Sequence, residues 1–315
     1  MVQDRLLTYA QQKVHPSVRT WLSAEVIEKN LQSELEGDLE RFSSDALATE
    51  FQHHCPVAGA AAEAYKNRLL NVGGLELLVG IRFLGLDMNE PFVDVMYHAA
   101  LTPEQLSAVQ DAIRLEFAVF KPKRTRFYVS SHQPPFTGDG DKRLIAAPLG
   151  VMLAQPKPGT FGRVELRQAT SLAFYPDYAA TYHELHAEYP GLRAVARLEG
   201  EDDLQGYLDE RHLFEIFVDG AWAGVTAVFE DVNTGLSGLC MAEIVLTGAF
   251  RGQGLGRAVQ FQLAAQLAEQ GAGRDELLFG TIGAVNVAAQ RTALGAGRVD
   301  LGGHVWASHE KPQSR

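Results

Sequence analysis

Residues 250–259 read FRGQGLGRAV, three glycines at alternate positions between two arginines. The strand-like run LCMAEIVLTGAF leads into them, and the helix-compatible run AVQFQLAAQLAEQ and the strand-like DELLFGTIG follow. A strand, a glycine loop, a helix and a second strand in that order specify an α/β unit. Glycine permits positive φ and close approach of a ligand to the backbone. Free N–H groups at the start of the helix, reinforced by its dipole, make an anion site for which phosphate is the natural ligand. The dinucleotide pattern G-x-G-x-x-G fails, because Arg257 and Val259 stand where its third glycine would fall. The nucleoside-triphosphate loop fails too, since no Gly-Lys-Ser/Thr follows.

The rest of the chain narrows the setting. At 315 residues it is long enough for two cores, and 46% hydrophobic with 21% charged residues is ordinary globular composition. The net charge of −11 argues against non-specific nucleic-acid binding. Residues 1–155 carry −4 and residues 156–315 carry −7, so a cationic partner suits the second half better. No apolar run approaches the ~20 residues that span a bilayer, and MVQDRLLTYAQQKVHP has no secretory core. Cys55 and Cys240 form no metal or redox motif. The expectation is a cytoplasmic protein with no metal and no membrane or nucleic-acid partner.

Along the chain, residues 1–70 read as helical, with breaks at His15-Pro16 and Cys55-Pro56. After Asn71-Val72-Gly73-Gly74, LELLVGIRFLGL and FVDVMYHAAL read as strands. Thr102-Pro103-Glu104-Gln105 then starts a helix that runs to about Phe120. RTRFYVSS is a strand, and KRLIAAPLGVMLA adds one or two more. Gln155-Pro156-Lys157-Pro158-Gly159-Thr160 is the best linker candidate, which divides the chain into domains 1–155 and 161–315. The second half holds a strand GRVELRQA, helices PDYAATYHELHAEY and EDDLQGYLDER, and a hairpin turning at Asp219-Gly220. The glycine segment follows, and a last helix runs from Asn286 to Ala296. Equal helix-to-strand offsets of 22 residues, Pro103 to Thr125 and Gly254 to Glu276, hint at a duplicated strand-helix-strand core.

The pattern that does fit the glycines is Arg-x-x-Gly-x-Gly, at Arg251, Gly254 and Gly256. It resembles the pyrophosphate loop of the GNAT superfamily of acyl-CoA-dependent N-acetyltransferases, and the order of elements around it is similar as well. The family's next motif, Asn-x-x-Ala-x-x-x-Tyr-x-x-x-Gly, is matched at Asn286, Ala289 and Gly297, while its tyrosine position is Ala293. The resemblance covers residues 160–310. The first half keeps only the strand-helix-strand order, since HAALTPEQL holds no glycine loop. It implies an α/β fold of tandem GNAT-like domains, each a mixed sheet flanked by helices, behind a mostly helical leader. The first domain is then a degenerate copy and the second the acetyl-CoA-binding one.

The implied activity is transfer of an acetyl group from acetyl-CoA to a primary amine of a small molecule or peptide. Backbone N–H groups of Arg251, Gly252, Gln253, Gly254, Leu255, Gly256 and Arg257 would hold the pyrophosphate of coenzyme A. Ile244, Val245, Leu246 and Thr247 match the strand that pairs with the pantetheine arm. An ammonium with a pKa near ~10 must lose a proton before it attacks. Glu243, in an Ala-Glu-Ile-Val context similar to that of histone-modifying members, is the candidate base. The other reading of Glu243 is a strand-face charge that is paired or exposed at a cleft rim. Asn286 orders the join of the strand before it to its helix or touches the pantetheine, or is a plain N-cap. With alanine at the tyrosine position, Thr292, Cys240 or water is left to supply the thiolate's proton.

The remaining candidates read more simply. Tyr182-His183-Glu184-Leu185-His186 is an ordinary helix face where Tyr182 or His183 could touch an acceptor, and His53-His54-Cys55 a helix end. Glu199, Glu201, Asp202 and Asp203 favour a helix start and could also attract a cationic amine. The N-terminal half would wall the acceptor cleft or form a homodimer contact. The reading from a different class is a non-catalytic acyl-CoA-binding or regulatory protein.

Overall fold

A computed structural model describes residues 2–132 and 138–308; Met1, 133–137 and 309–315 lie outside the described residues. The chain forms two compact units, and each holds a mixed sheet flanked by helices.

Unit 1 comprises residues up to Asp141 together with Asn233–Leu236 and the chain from Gly302. It opens with helices α1 (Val2–Lys13), α2 (Val18–Trp21), α3 (Ala24–Ser43) and α4 (Asp45–His54). Ser23 and Ser44 cap α3 and α4 by accepting from the amides of Val26 and Leu47. The helical stretch expected through residue 70 ends sooner. Strand β1 (Arg68–Val72) pairs antiparallel with β2 (Leu75–Phe83). Gly73 and Gly74 both take positive φ, 58° and 88°, so the Asn-Val-Gly-Gly stretch is the turn of a hairpin and extends the residues before it. β3 (Pro91–Tyr97), helix α5 (Pro103–Glu116) and β4 (Arg124–Ser130) follow, with β3 and β4 parallel. Both bonds of the Thr102–Gln105 capping box are present. Residues Gly302–Ser308 pair antiparallel with β4, so the far end of the described chain completes this sheet. Its core joins Leu77, Val79, Ile81, Val93, Ile113 and Phe127 with Val305 and Ala307.

Unit 2 comprises Lys142–Val232 and Ser237–Leu301. Strand β5 (Asp139–Pro148) runs into it, and Lys142–Pro148 pair antiparallel with the later strand Leu277–Gly283. The ladder stops at Pro148. There the amides of Leu149 and Gly150 turn to the carbonyls of Glu276 and Arg274, and GVML forms helix α6 (Leu149–Leu153) in place of the strand expected there. β6 (Val164–Gln168), α7 (Tyr175–Glu188), α8 (Glu201–Asp209), β7 (Leu213–Val218), β8 (Ala221–Asn233) and β9 (Leu236–Leu246) follow. Next come α9 (Leu255–Glu269), β10 (Leu277–Gly283), α10 (Val287–Gly295) and β11 (Val299–Ser308), whose last seven residues belong to unit 1. Within unit 2 the strands are ordered β5-β10-β9-β8-β7-β6. One face of the sheet packs on α6 and α9 through Leu149, Met152, Val259 and Leu263, and the other on α7 and α8 through Tyr178, Tyr182 and Leu204.

The units therefore do not divide at the 155–160 linker. Ala147, Leu149 and Met152 lie fully buried in the unit 2 core, and Arg257 Nη2 donates to the Pro156 carbonyl at 3.0 Å. Residues 142–155 pack with the second half because β10 needs an antiparallel neighbour. Among the described residues no helix is long and apolar enough to cross a membrane.

Candidate functional site

All the candidate site residues lie in unit 2. After β9 the chain makes one 3₁₀ turn, Gly248–Phe250, and reaches α9 through Arg251–Gly254. Gly252 and Gly254 take φ of 74° and 72°, and a side chain at either would meet nothing within 4 Å. Both are exposed. Gly254 is the N-cap of α9 and no side chain caps the helix, so its first N–H groups keep the anion-binding character of an uncapped terminus. Gly256 differs: a Cβ there would lie 2.8 Å from Thr292 Cγ2, so this glycine lets α9 and α10 approach. Arg251 pairs with Glu188 at 3.2 Å, while its Nε and Nη1 are buried without hydrogen-bond partners among the described residues. Gln253 is tied down through Nε2 to the Ala249 carbonyl at 2.8 Å.

The strand in front of the loop forks from its neighbour. β9 and β10 run parallel but share ladder positions only at Leu239–Leu278 and Cys240–Phe279. From Met241 to Leu246 the β9 edge facing β10 is outside that ladder, which is the opening an extended ligand arm needs. Side-chain alternation also breaks here. Met241, Ile244 and Leu246 pack on the α9 face, whereas Ala242 and Val245 pack with α7 and α8, where Glu243 also meets its partners. Two successive residues on one face mark a bulge, and it is what aims Glu243 at α7. Gly224 of β8 supports this bend: at φ 149° a Cβ there would come within 2.0 Å of the Val245 carbonyl oxygen. Gly224→Ala is expected to destabilise the fold by roughly 3 kcal/mol, read as a lowered denaturant midpoint at unchanged m. A variant as stable as wild type would show that β9 does not need this close approach.

Glu243 is 4% exposed. Tyr182 Oη donates to its carboxylate at 2.8 Å, and Tyr178 Oη donates to the same oxygen, Oε2. The amide of Glu199 donates to Tyr178 Oη at 3.0 Å, and Thr226 Oγ1 to the Glu243 carbonyl at 2.9 Å. Burial pushes the Glu243 carboxyl up to about 7, against the lowering effect of the two tyrosine hydrogen bonds. Burial and the neighbouring carboxylate push both phenols far above their usual range, so they remain donors. A carboxyl that exchanges its proton near neutrality, held by two donors beside a forked strand, has the properties of a general base.

Solved structures share this architecture. A GCN5-related N-acetyltransferase from Sphaerobacter thermophilus superposes with a TM-score of 0.50 at 12% identity, over 85% of this chain and 92% of that one. The fold is that of the GCN5-related N-acetyltransferases. A GNAT-family acetyltransferase from Colwellia psychrerythraea matches with a TM-score of 0.45 at 13% identity, over 83% of this chain and 94% of its own. A tandem GNAT protein from the clavulanic acid biosynthesis pathway matches at 0.43 and 12%, over 85% and 89%. No family model and no curated protein matches the sequence. In both units of this GNAT-like chain a helix joins two parallel neighbouring strands, α5 between β3 and β4 and α9 between β9 and β10. Only the second carries the glycine loop.

Asn286 caps α10, its Oδ1 accepting from the Ala289 amide at 3.2 Å. Ala293, at the GNAT tyrosine position, is fully buried and offers no proton. The histidines of α7 do not converge: His183 is exposed, and His186 Nε2 bonds the Ala196 carbonyl at 2.7 Å. Asp202 and Asp203 line a cleft with Tyr207, Glu210, His212 and Phe229, in which the Tyr207 and Phe229 rings stack at 5.9 Å. Sequence reading missed the partnership of Tyr178 and Tyr182 with Glu243. The i, i+4 spacing of the two tyrosines, which sets them on one helix face, is the signal that was present.

Proposed function

We propose that unit 2 is an acetyl-CoA-dependent N-acetyltransferase domain acting on a primary amine. The observation that carries this is the uncapped α9 terminus behind two open, positive-φ glycines, reached from a strand that has parted from its neighbour. Those features fit coenzyme A. The amides from Arg251 to Arg257 would hold its pyrophosphate, and the free edge at Ile244–Thr247 would hold its pantetheine arm. When bound, the acetyl thioester supplies the activated acyl group. An amide of the β9 edge directed at the thioester carbonyl would contribute about 3 kcal/mol to lowering the barrier. Glu243 is the base, and because it is buried it takes the amine's proton through an intervening hydroxyl or water. The acidic, aromatic cleft of Asp202, Asp203, Tyr207 and Phe229 suits a cationic acceptor. Asn286 sets the start of α10 beside the cofactor.

A thermal-shift titration with acetyl-CoA tests the proposal on wild type and Gly254→Glu. Ligand at 100 times its dissociation constant should stabilise wild type by about 2.7 kcal/mol. A side chain and a negative charge at position 254 should abolish that gain. No shift in a folded wild type would mean that the glycines only shape a turn. A second reading, an acyl-CoA-binding protein without turnover, is favoured by Ala293 and by the low exposure of Glu243. Binding without acetylation of any amine in a broad panel would select it.

A further inference from the structure

The groove between α8 and β8 carries carboxylates along its length. Asp202, Asp203 and Glu210 line it from one side of α8, with Gly206 and Tyr207 between them, and Phe229 and Glu230 of β8 stand opposite. Its volume is about 710 Å³, within the range of small-molecule sites. Among the described residues none of these carboxylates pairs with Lys or Arg; Glu210 has only His212, at 3.7 Å. The negative charge reaches beyond the lining. Burial raises Glu199 and Glu276, and Asp203 and Glu230 respectively add to that rise.

Helix stability does not account for this pattern. Asp202 and Asp203 lie in the first turn of α8, where the helix dipole favours them. Glu210 is the C-cap, where the dipole disfavours an anion, and Glu230 is on a strand. Gly206 is equally unexplained by packing. Glycine inside a helix costs about 1 kcal/mol relative to alanine, and a Cβ here would meet nothing within 4 Å. What the missing side chain does is keep the groove open between its charged ends.

The spacing of the charges decides what fits. Asp203 and Glu210 are seven residues apart, which is about 10 Å along the helix axis. One ammonium cannot meet both, whereas a chain with two cationic groups can. Midway, the Tyr207 and Phe229 rings stack at 5.9 Å and 23°, an apolar surface for the connecting methylenes. Tyr207 also joins the groove to the site. Burial, with Glu199, Asp203 and Glu243 adding to it, pushes its phenol up to about 12, so charges of the groove and of the site act on one hydroxyl.

Resting on the acetyltransferase reading above, we propose that this groove anchors the non-reacting part of the acceptor, a linear aliphatic chain bearing two cationic groups about 10 Å apart. The acceptor is then a small polyamine, not a monoamine or a peptide N-terminus. The anchored groups stay protonated, one against Asp202 and Asp203 and the other against Glu210.

The test is equilibrium binding of 1,8-diaminooctane without acetyl-CoA at about 0.15 M salt, with octylamine as the reference. The two probes share a chain and differ by one ammonium. Wild type should bind the diamine about tenfold more tightly or better. Gly206→Leu should be at least as stable as wild type, because it replaces a helical glycine and meets open space. It should nevertheless weaken diamine binding about tenfold, with the acetyl-CoA dissociation constant changed by less than about twofold. That variant keeps every charge, so its loss cannot come from attraction to the net charge of −11. Glu210→Gln should bring the two probes close to equal affinity. Equal affinities in wild type, or no binding of either probe, overturn the proposal. Undiminished diamine binding in Gly206→Leu or Glu210→Gln overturns it as well. If the diamine binds as expected and acetyl-CoA does not, the groove stands and it is the acetyltransferase reading that fails.

Discussion

Glu243→Gln should be more stable than wild type at pH 8 and yet acetylate amines at least a hundredfold more slowly. The two effects share one cause. Glu243 in the unfolded chain ionises near its ordinary value of about 4.5, and in the fold near 7. Between those values the folded protein keeps a proton that the unfolded chain releases, so stability falls as pH rises through this window. Below about pH 4.5 the penalty is absent. Above about pH 7 it is fully present and amounts to roughly 3 kcal/mol. Glutamine has no charge to desolvate, and its carbonyl can still accept from Tyr182. The variant should therefore show a flat pH–stability profile across the window and a midpoint several degrees above wild type at pH 8. The same substitution removes the group that accepts the amine's proton, and general-base losses run to 10²–10⁴-fold. Unchanged turnover would dismiss Glu243 as the base, and an unchanged pH profile of stability would dismiss the buried carboxyl as its source.

Residues 1–155 and 156–315, produced as separate proteins, should each fail to fold. The first piece lacks Gly302–Ser308, which cover the edge of β4 and bring Val305 and Ala307 to its core. The second lacks Lys142–Pro148, which pair along all of β10, and the fully buried Leu149 and Met152. Those two side chains alone represent roughly 3–6 kcal/mol of burial, against a typical total stability of about 5–15 kcal/mol. The bare edges left behind invite aggregation. A piece from Asp139 to Leu301 retains every strand of unit 2 and should fold by itself, with cooperative unfolding by circular dichroism. Cooperative unfolding of the isolated 156–315 piece would show that β5 is dispensable to it.

What was legible in the sequence was set by short-range chemistry. The Thr102 capping box, the Asp219-Gly220 turn with φ of 51° and 84°, and the positive-φ glycines before α9 follow from a few adjacent residues. The cofactor loop was readable for that reason. The strand β1 was not, because the residues before Gly73-Gly74 follow a helical stretch and only pairing with β2 extends them. The placement of β5 and α6 was hidden as well. KRLIAAP reads as a strand in either half, and nothing in it says that its partner is β10, more than a hundred residues later. Glu243 was visible as a misfit in an apolar strand, but its tyrosines lie some 60 residues upstream and only the tertiary fold joins them.

The reciprocal use of β5 and β11 also orders events in time. As the chain leaves the ribosome, β1 to β4 can pair early, but β4 keeps an open edge until Gly302–Ser308 have emerged, about 170 residues later. Meanwhile Lys142–Pro148 wait for β10, which is made only after α9. Neither core can close before these partner segments are made. The nascent chain thus carries two unsatisfied strand edges until nearly all of the described chain has been translated.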